Sequence, residues 1–206
     1  KIKKYSAPLS EPVSFKESEN ENTSIEFLFK KFEEEINKVG GKSIFCKNSD
    51  EAAEELGKII SEYQSAAFNN SIDDAVIDGI KSKYPDKKIV KVKEIGEDLK
   101  SNLANITVSV SIPEYIIAES GTAVIRSSVD EPRLLSVLSE VSVIFAKKEQ
   151  IIPSMSSFLK KSKEKLEDFN KTSAYIFITG PSRTADIEKN LVIGVHGPGK
   201  LIYVIY

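Results

Sequence analysis

Tryptophan is absent, and cysteine, histidine and methionine occur once each in 206 residues. The lone thiol, Cys46, excludes an internal disulfide and any thiolate cluster. An iron–sulfur centre is typically held by four cysteines, and a structural zinc site by three or four Cys/His ligands. One cysteine and one histidine supply neither. A carboxylate-held Mg²⁺ remains the open metal chemistry, and the residues assign no cofactor and no metal site. Scarce cysteine fits a reducing compartment, so the expected location is the cytoplasm. No apolar run approaches the ~20 residues of a membrane span, and no signal-peptide pattern opens the sequence as given. Neither sign of charge dominates. A formal net charge of -2 offers no electrostatic reason to expect nucleic acid or an anionic membrane as partner.

What is present suits one globular domain. With 40% hydrophobic and 29% charged residues, the chain can build a core without disulfides. Residues 1–22 carry Pro8, Pro12 and a polar Glu17–Asn22 run; they read as a mobile N-terminal arm ahead of a domain over 23–206. Thr23 and Glu26 have capping-box spacing. Ile25, Leu28, Phe29, Phe32, Ile36 and Val39 then recur at helical period until Gly40-Gly41. Strands are expected at 43–46, 65–68 and 88–92. They alternate with a helix capped near Asn48 and another from Asp73 to Tyr84, a pattern that calls for a largely parallel sheet covered on both faces. Ile116–Glu119 and Thr122–Arg126 flank Ser120-Gly121 like a hairpin. A short helix is expected near Pro132, a buried strand at 141–146, and a helix over 154–169 with Met155, Phe158, Leu159, Leu166 and Phe169 facing inward. Further strands are expected at 175–179, 191–195 and 200–206. Cys46 lies in an apolar strand and reads as an inert core thiol.

Three segments could carry chemistry. In Thr179–Glu188 an apolar strand runs into Gly180-Pro181, then Ser182, Arg183 and Thr184, then a short helical stretch. A strand end feeding a helix start offers free amides to an anion, and Arg183 adds a guanidinium fork. Equally, Ser182 or Thr184 caps the helix while Arg183 pairs with Asp186 or Glu188. In Leu191–Lys200, His196 sits among Gly194, Gly197, Pro198 and Gly199. An imidazole there can exchange protons near neutral pH, or bond locally to fix its loop. Lys200 would add positive charge if the Gly197–Gly199 turn folds it inward. In Ala118–Thr122, Glu119 precedes a glycine turn; it is a candidate base or nucleophile, or a turn-capping carboxylate. The candidate catalytic residues are therefore Glu119 and His196, and the candidate ligand-binding residues Ser182, Arg183, Thr184, Gly197 and Lys200. Glu119, Arg183 and His196 each follow an apolar strand at a glycine turn, and they are expected to share a cleft.

The contiguous pattern of Ile178–Glu188 and Leu191–Pro198 resembles the C-terminal signature of the LUD-domain family, that of lactate utilisation protein C. Ala118-Glu119-Ser120-Gly121-Thr122 is similar to the family's Ala-Glu-Thr-Gly-Thr segment, with Ser120 in place of Thr. The leading helix, the Gly-Gly and two αβ units extend the likeness over 23–206. The resemblance implies a three-layer α/β/α sandwich of the NagB/RpiA/CoA-transferase type. It implies an accessory, non-redox place in bacterial oxidation of L-lactate to pyruvate, beside iron–sulfur proteins of that system, with a small carboxylate or phosphate as ligand. A homo-oligomer is compatible with it. Two other functions stay open: a CoA-transferase-like or sugar-phosphate enzyme using Glu119, since Glu119-Ser120-Gly121 has the Glu-x-Gly form of such nucleophiles, and a pure protein-interaction module.

Overall fold

The computed structural model describes residues 24–96, 98–165, 172–185 and 191–206. The arm read over 1–22, and Leu166 and Phe169, lie outside them. Helix α1 (Ile25–Lys38) starts at Ser24, one residue past the expected cap, and the Ser24 hydroxyl accepts from the Phe27 N–H at 3.3 Å. Its apolar stripe buries Leu28, Phe32 and Ile36. The chain then turns through Gly40, whose φ of 78° is open to glycine at little cost.

Next come β1 (Lys42–Phe45), α2 (Ser49–Ser61), β2 (Ser65–Phe68), α3 (Asp74–Lys83) and β3 (Lys88–Lys91). α2 is capped by Asn48, which accepts from the Glu51 N–H at 2.9 Å, and α3 by Asp73, which accepts from the Ala75 N–H at 2.9 Å. Both caps follow a strand directly, which fixes where each helix leaves the sheet edge. The next elements are α4 (Leu99–Ala104), which the sequence pattern did not reveal, then β4 (Val108–Ser111), β5 (Tyr115–Ile117), β6 (Thr122–Arg126), α5 (Leu135–Leu138) and β7 (Val141–Ala146). β8 (Ile151–Ile152), α6 (Met155–Glu164), β9 (Tyr175–Ile178), β10 (Arg183–Ala185), β11 (Leu191–Ile193) and β12 (Lys200–Ile205) complete the order.

Six strands form one sheet in the order β1-β12-β7-β4-β2-β3, every pair parallel. The alternation of side chains assigns its faces. Ala66, Phe68, Val108, Val110, Val141, Val143 and Val204 pack with α2 and α3. Leu201, Tyr203, Ile205 and Ile144 pack with α1 and a second sheet, while Ala67 meets α4 and α5. Helices thus cover both faces, as the alternating sequence pattern required. The second sheet, β8-β5-β6-β9, lies between α1 and α6. Ile116, Ala123 and Ile125 face inward, and Ile117 and Val124 face Phe158 of α6. The buried Tyr203 hydroxyl ties the two sheets together. It accepts from the Ala123 N–H at 3.1 Å and donates to the Ile178 carbonyl at 3.1 Å.

Two expectations need correction. Among the described residues of the stripe read on α6, Phe158 is buried while Met155 and Leu159 are 38% and 37% exposed. The reason is that α6 covers one narrow sheet and meets it through Phe158. Arg183–Ala185 is strand β10, paired antiparallel with β11, and not the beginning of a helix. Its partner, Leu191–Ile193, supplies backbone bonds that local sequence does not announce. Among the described residues no helix is long and apolar enough to cross a membrane.

Candidate functional site

The sequence-predicted residues lie on the amino-terminal rim of the parallel sheet. β9 belongs to the second sheet and runs toward that rim, so the strand end that suggested a carboxyl-edge cleft delivers Ser182–Thr184 to the opposite side. Glu119 closes the β5–β6 turn. Its N–H donates to the Pro153 carbonyl at 3.0 Å, and its Oε1 accepts from the Met155 N–H at the start of α6 at 2.5 Å. That carboxylate is occupied as a helix cap, which does not favour a nucleophile. The turn presses on α1, and a Cβ at Gly121 would stand 2.8 Å from the Ile36 nitrogen. The Thr122 and Thr179 hydroxyls meet at 2.9 Å.

Further along α1, the Arg183 guanidinium donates to the Val39 carbonyl. Arg183 thus meets the negative end of α1, and the segment it sits in is a strand and not a helix start. Replacing this exposed side chain by alanine should cost about 0.5–1 kcal/mol of stability, read from denaturant midpoints. A loss above about 2 kcal/mol would mean that the ribbon β10–β11 docks through Arg183 alone. Ser182 and Gly197 do come together. The Ser182 N–H donates to the Pro198 carbonyl at 2.8 Å, the Gly194 N–H donates to the Ser182 carbonyl at 3.0 Å, and a Cβ at Gly197 would lie 3.1 Å from the Ser182 Cβ. His196 is exposed on this loop, and Thr184 pairs with Val192 in the ribbon. Lys200 does not fold inward: its Nζ donates to the Tyr63 hydroxyl at 3.0 Å, on the α2 face, and that bond raises its pKa. Glu119 is engaged at the start of α6 and Arg183 at the end of α1, apart from each other.

The other rim holds what sequence reasoning missed. At the carboxyl ends of β1, β2, β4, β7 and β12 a crevice of about 870 Å³ opens between the beginnings of α2 and α3. This is where an open parallel sheet usually holds its ligand. Ser49 and Asp50 come from α2, Ser71, Ile72 and Asp73 from the β2–α3 connection, and Lys147 and Gln150 from beyond β7. Tyr206 provides a ring floor backed by Phe145, centroids 4.9 Å apart. Burial, with a smaller effect of Glu149, pushes the Tyr206 phenol upward. Cys46, next to this rim, is raised by desolvation to about 11, which keeps it a thiol at neutral pH.

Two buried ionisable groups brace the crevice. Glu131, 3% exposed, accepts from the Asn69 amide, from the Ser111 hydroxyl at 2.8 Å and from the Ile112 N–H at 3.3 Å. Burial outweighs these donors and lifts its carboxyl to about 7. Asn69 in turn accepts from the Ser71 N–H at 2.6 Å. Lys91 reaches the Asn70 carbonyl at 3.2 Å and Asp74 at 2.6 Å. The hydrogen bond from Lys91 holds the Asp74 carboxyl below the usual range. The visible signal was the pair of strand-then-cap junctions at Asn48 and Asp73. Glu131 had none, because its donors lie 62, 20 and 19 residues away. Among the described residues no three His, Cys, Asp or Glu side chains gather as metal ligands.

A mainly parallel sheet with helices on both faces, a stacked hairpin sheet and an open crevice at the strand carboxyl ends define a layered α/β protein. The chain belongs to the LUD domain family, whose model matches residues 29–206. It is 42% identical over 103 residues to Lactate utilization protein C of Bacillus licheniformis, covering 50% of this chain and 42% of that protein. It is 31% identical over 112 residues to Lactate utilization protein C of Oceanobacillus iheyensis, covering 54% and 48%. The matched stretch thus spans less than half the length of these curated relatives. A crystal structure of a DUF162 family protein from Deinococcus radiodurans shares the fold at a TM-score of 0.65 and 14% identity, over 89% of this chain and 99% of that one.

Proposed function

We propose that this domain serves bacterial lactate utilisation, in the oxidation of L-lactate to pyruvate, as a cytoplasmic component that carries no redox centre of its own. It binds a small organic anion and works beside iron–sulfur proteins that carry the electrons. The observation that supports the role most is 31–42% identity to relatives named Lactate utilization protein C over about half of this chain. The geometry adds a place for the ligand. The carboxyl-edge crevice, whose walls also carry Asp50 and Asp73, has a cation, Lys147, with the Ser49 and Ser71 hydroxyls on the same lining. The cation and the hydroxyls are groups that hold a carboxylate by charge-assisted and neutral hydrogen bonds.

Calorimetric titration with L-lactate and with pyruvate should show saturable binding of at least one acid, weakened about tenfold or more in Lys147→Ala. A bound acid should also raise the melting temperature with its concentration. Deleting the gene in its host should slow growth on L-lactate. The proposal is wrong if neither acid binds and growth on lactate is unchanged.

A further inference from the structure

Lactate and pyruvate are three-carbon acids, and either fills only a corner of a crevice of about 870 Å³. Pockets of roughly 300–1,000 Å³ enclose ligands of cofactor size. The lining is divided by chemistry. The floor is the half-buried Tyr206 ring, backed by the buried Phe145 ring tilted 37° to it and continued by Ile112. The walls carry one carboxylate each, Asp50 at the start of α2 and Asp73 at the start of α3. Asp73 is held in place by its own capping bond to Ala75. The cation Lys147 stands past the end of β7.

Each zone prefers a different chemical group. A flat, weakly polar ring gains from contact with the Tyr206 ring. A carboxylate at the edge of a parallel sheet accepts from ribose hydroxyls. Two carboxylates repel a phosphate, so a phosphate on the same ligand belongs away from them, at Lys147. We propose that the crevice takes a nucleoside phosphate, with its base on Tyr206, its ribose between Asp50 and Asp73, and its phosphate on Lys147. The inference rests on the crevice being the ligand site and enlarges the ligand that the site accepts.

The test is calorimetry of the full chain and of Lys147→Ala with AMP, adenosine, inorganic phosphate and L-lactate. Lys147 is exposed, so the variant should keep the wild-type melting temperature. AMP should bind at least tenfold more tightly than adenosine. The variant should bring AMP down to the level of adenosine and leave adenosine unchanged. Asp50→Asn should weaken adenosine and AMP alike. The inference is overturned if neither AMP nor adenosine binds, if both proteins hold AMP equally, or if inorganic phosphate binds as tightly as AMP. Lactate binding without AMP binding would sink this inference alone. AMP binding without lactate or pyruvate would sink the small-acid ligand alone.

Discussion

Raising the pH from 5 to 8 should take from the wild-type protein about 2.5 kcal/mol of stability that a Glu131→Gln variant keeps. The Glu131 carboxyl binds its proton more tightly in the fold, at about 7, than at its ordinary value of 4.5. Below 4.5 the group is protonated whether the chain is folded or not, and its contribution is complete. Between the two values the folded protein holds a proton that the unfolded chain releases. As the pH rises through 7 the carboxylate must ionise inside the protein and the contribution is lost. Glutamine has the same shape and cannot ionise, and the Asn69 amide and Ser111 hydroxyl that face it can reorient to meet its amide. Denaturant unfolding of both proteins at pH 5 and pH 8 isolates this term from the exposed acids they share. Parallel pH dependences would show that Glu131 is ionised at both pH values, its donors outweighing its burial.

Gly121→Val should lose about 2–5 kcal/mol. Gly121 has a φ of 63°, and a β-branched residue there is strained by about 1–2 kcal/mol. Its Cβ would also stand 2.8 Å from the Ile36 nitrogen and 3.1 Å from the Ile36 Cα. These are backbone atoms of α1 and cannot swing aside, so helix and hairpin must separate. Forced separation of packed elements adds about 1–3 kcal/mol. Gly96→Val is the control. Its φ is 84°, but a Cβ there meets nothing within 4 Å, so it should show the conformational part alone. Equal losses at the two sites would mean that the approach of the turn to α1 contributes nothing.

The elements legible in the sequence are those whose signals are local. β2 and β7 fall where the apolar runs 65–68 and 141–146 put them, and the caps of α2 and α3 lie at or beside the Asn and Asp residues that announced them. Parallel pairing followed from the alternation of strand and helix. Where local and distant preferences compete, the sequence misled. Arg183-Thr184-Ala185 follows Gly-Pro as a helix start would, yet its register with Leu191–Ile193 makes it a strand. The direction of β9 decided the rim on which Ser182–Thr184 lie, and no spacing encodes a strand's direction in a second sheet. The crevice is assembled from the ends of five strands, so only its two capped helix starts left a trace in the linear chain.

The place of β12 bears on how the molecule is built. It lies between β1 and β7, joining residues 42–45 to residues 202–205. A growing chain that has not yet delivered residues 200–205 can pair β2, β3, β4 and β7, but it has no neighbour for β1. Until then α1 also lacks Tyr203, whose ring lies 4.8 Å from that of Phe32. The first strand therefore waits for nearly the whole of the described chain. Such distant closure slows folding and leaves apolar surface open meanwhile. During synthesis β1 stays unpaired until the late strand arrives, and α1 has only the second sheet to pack against.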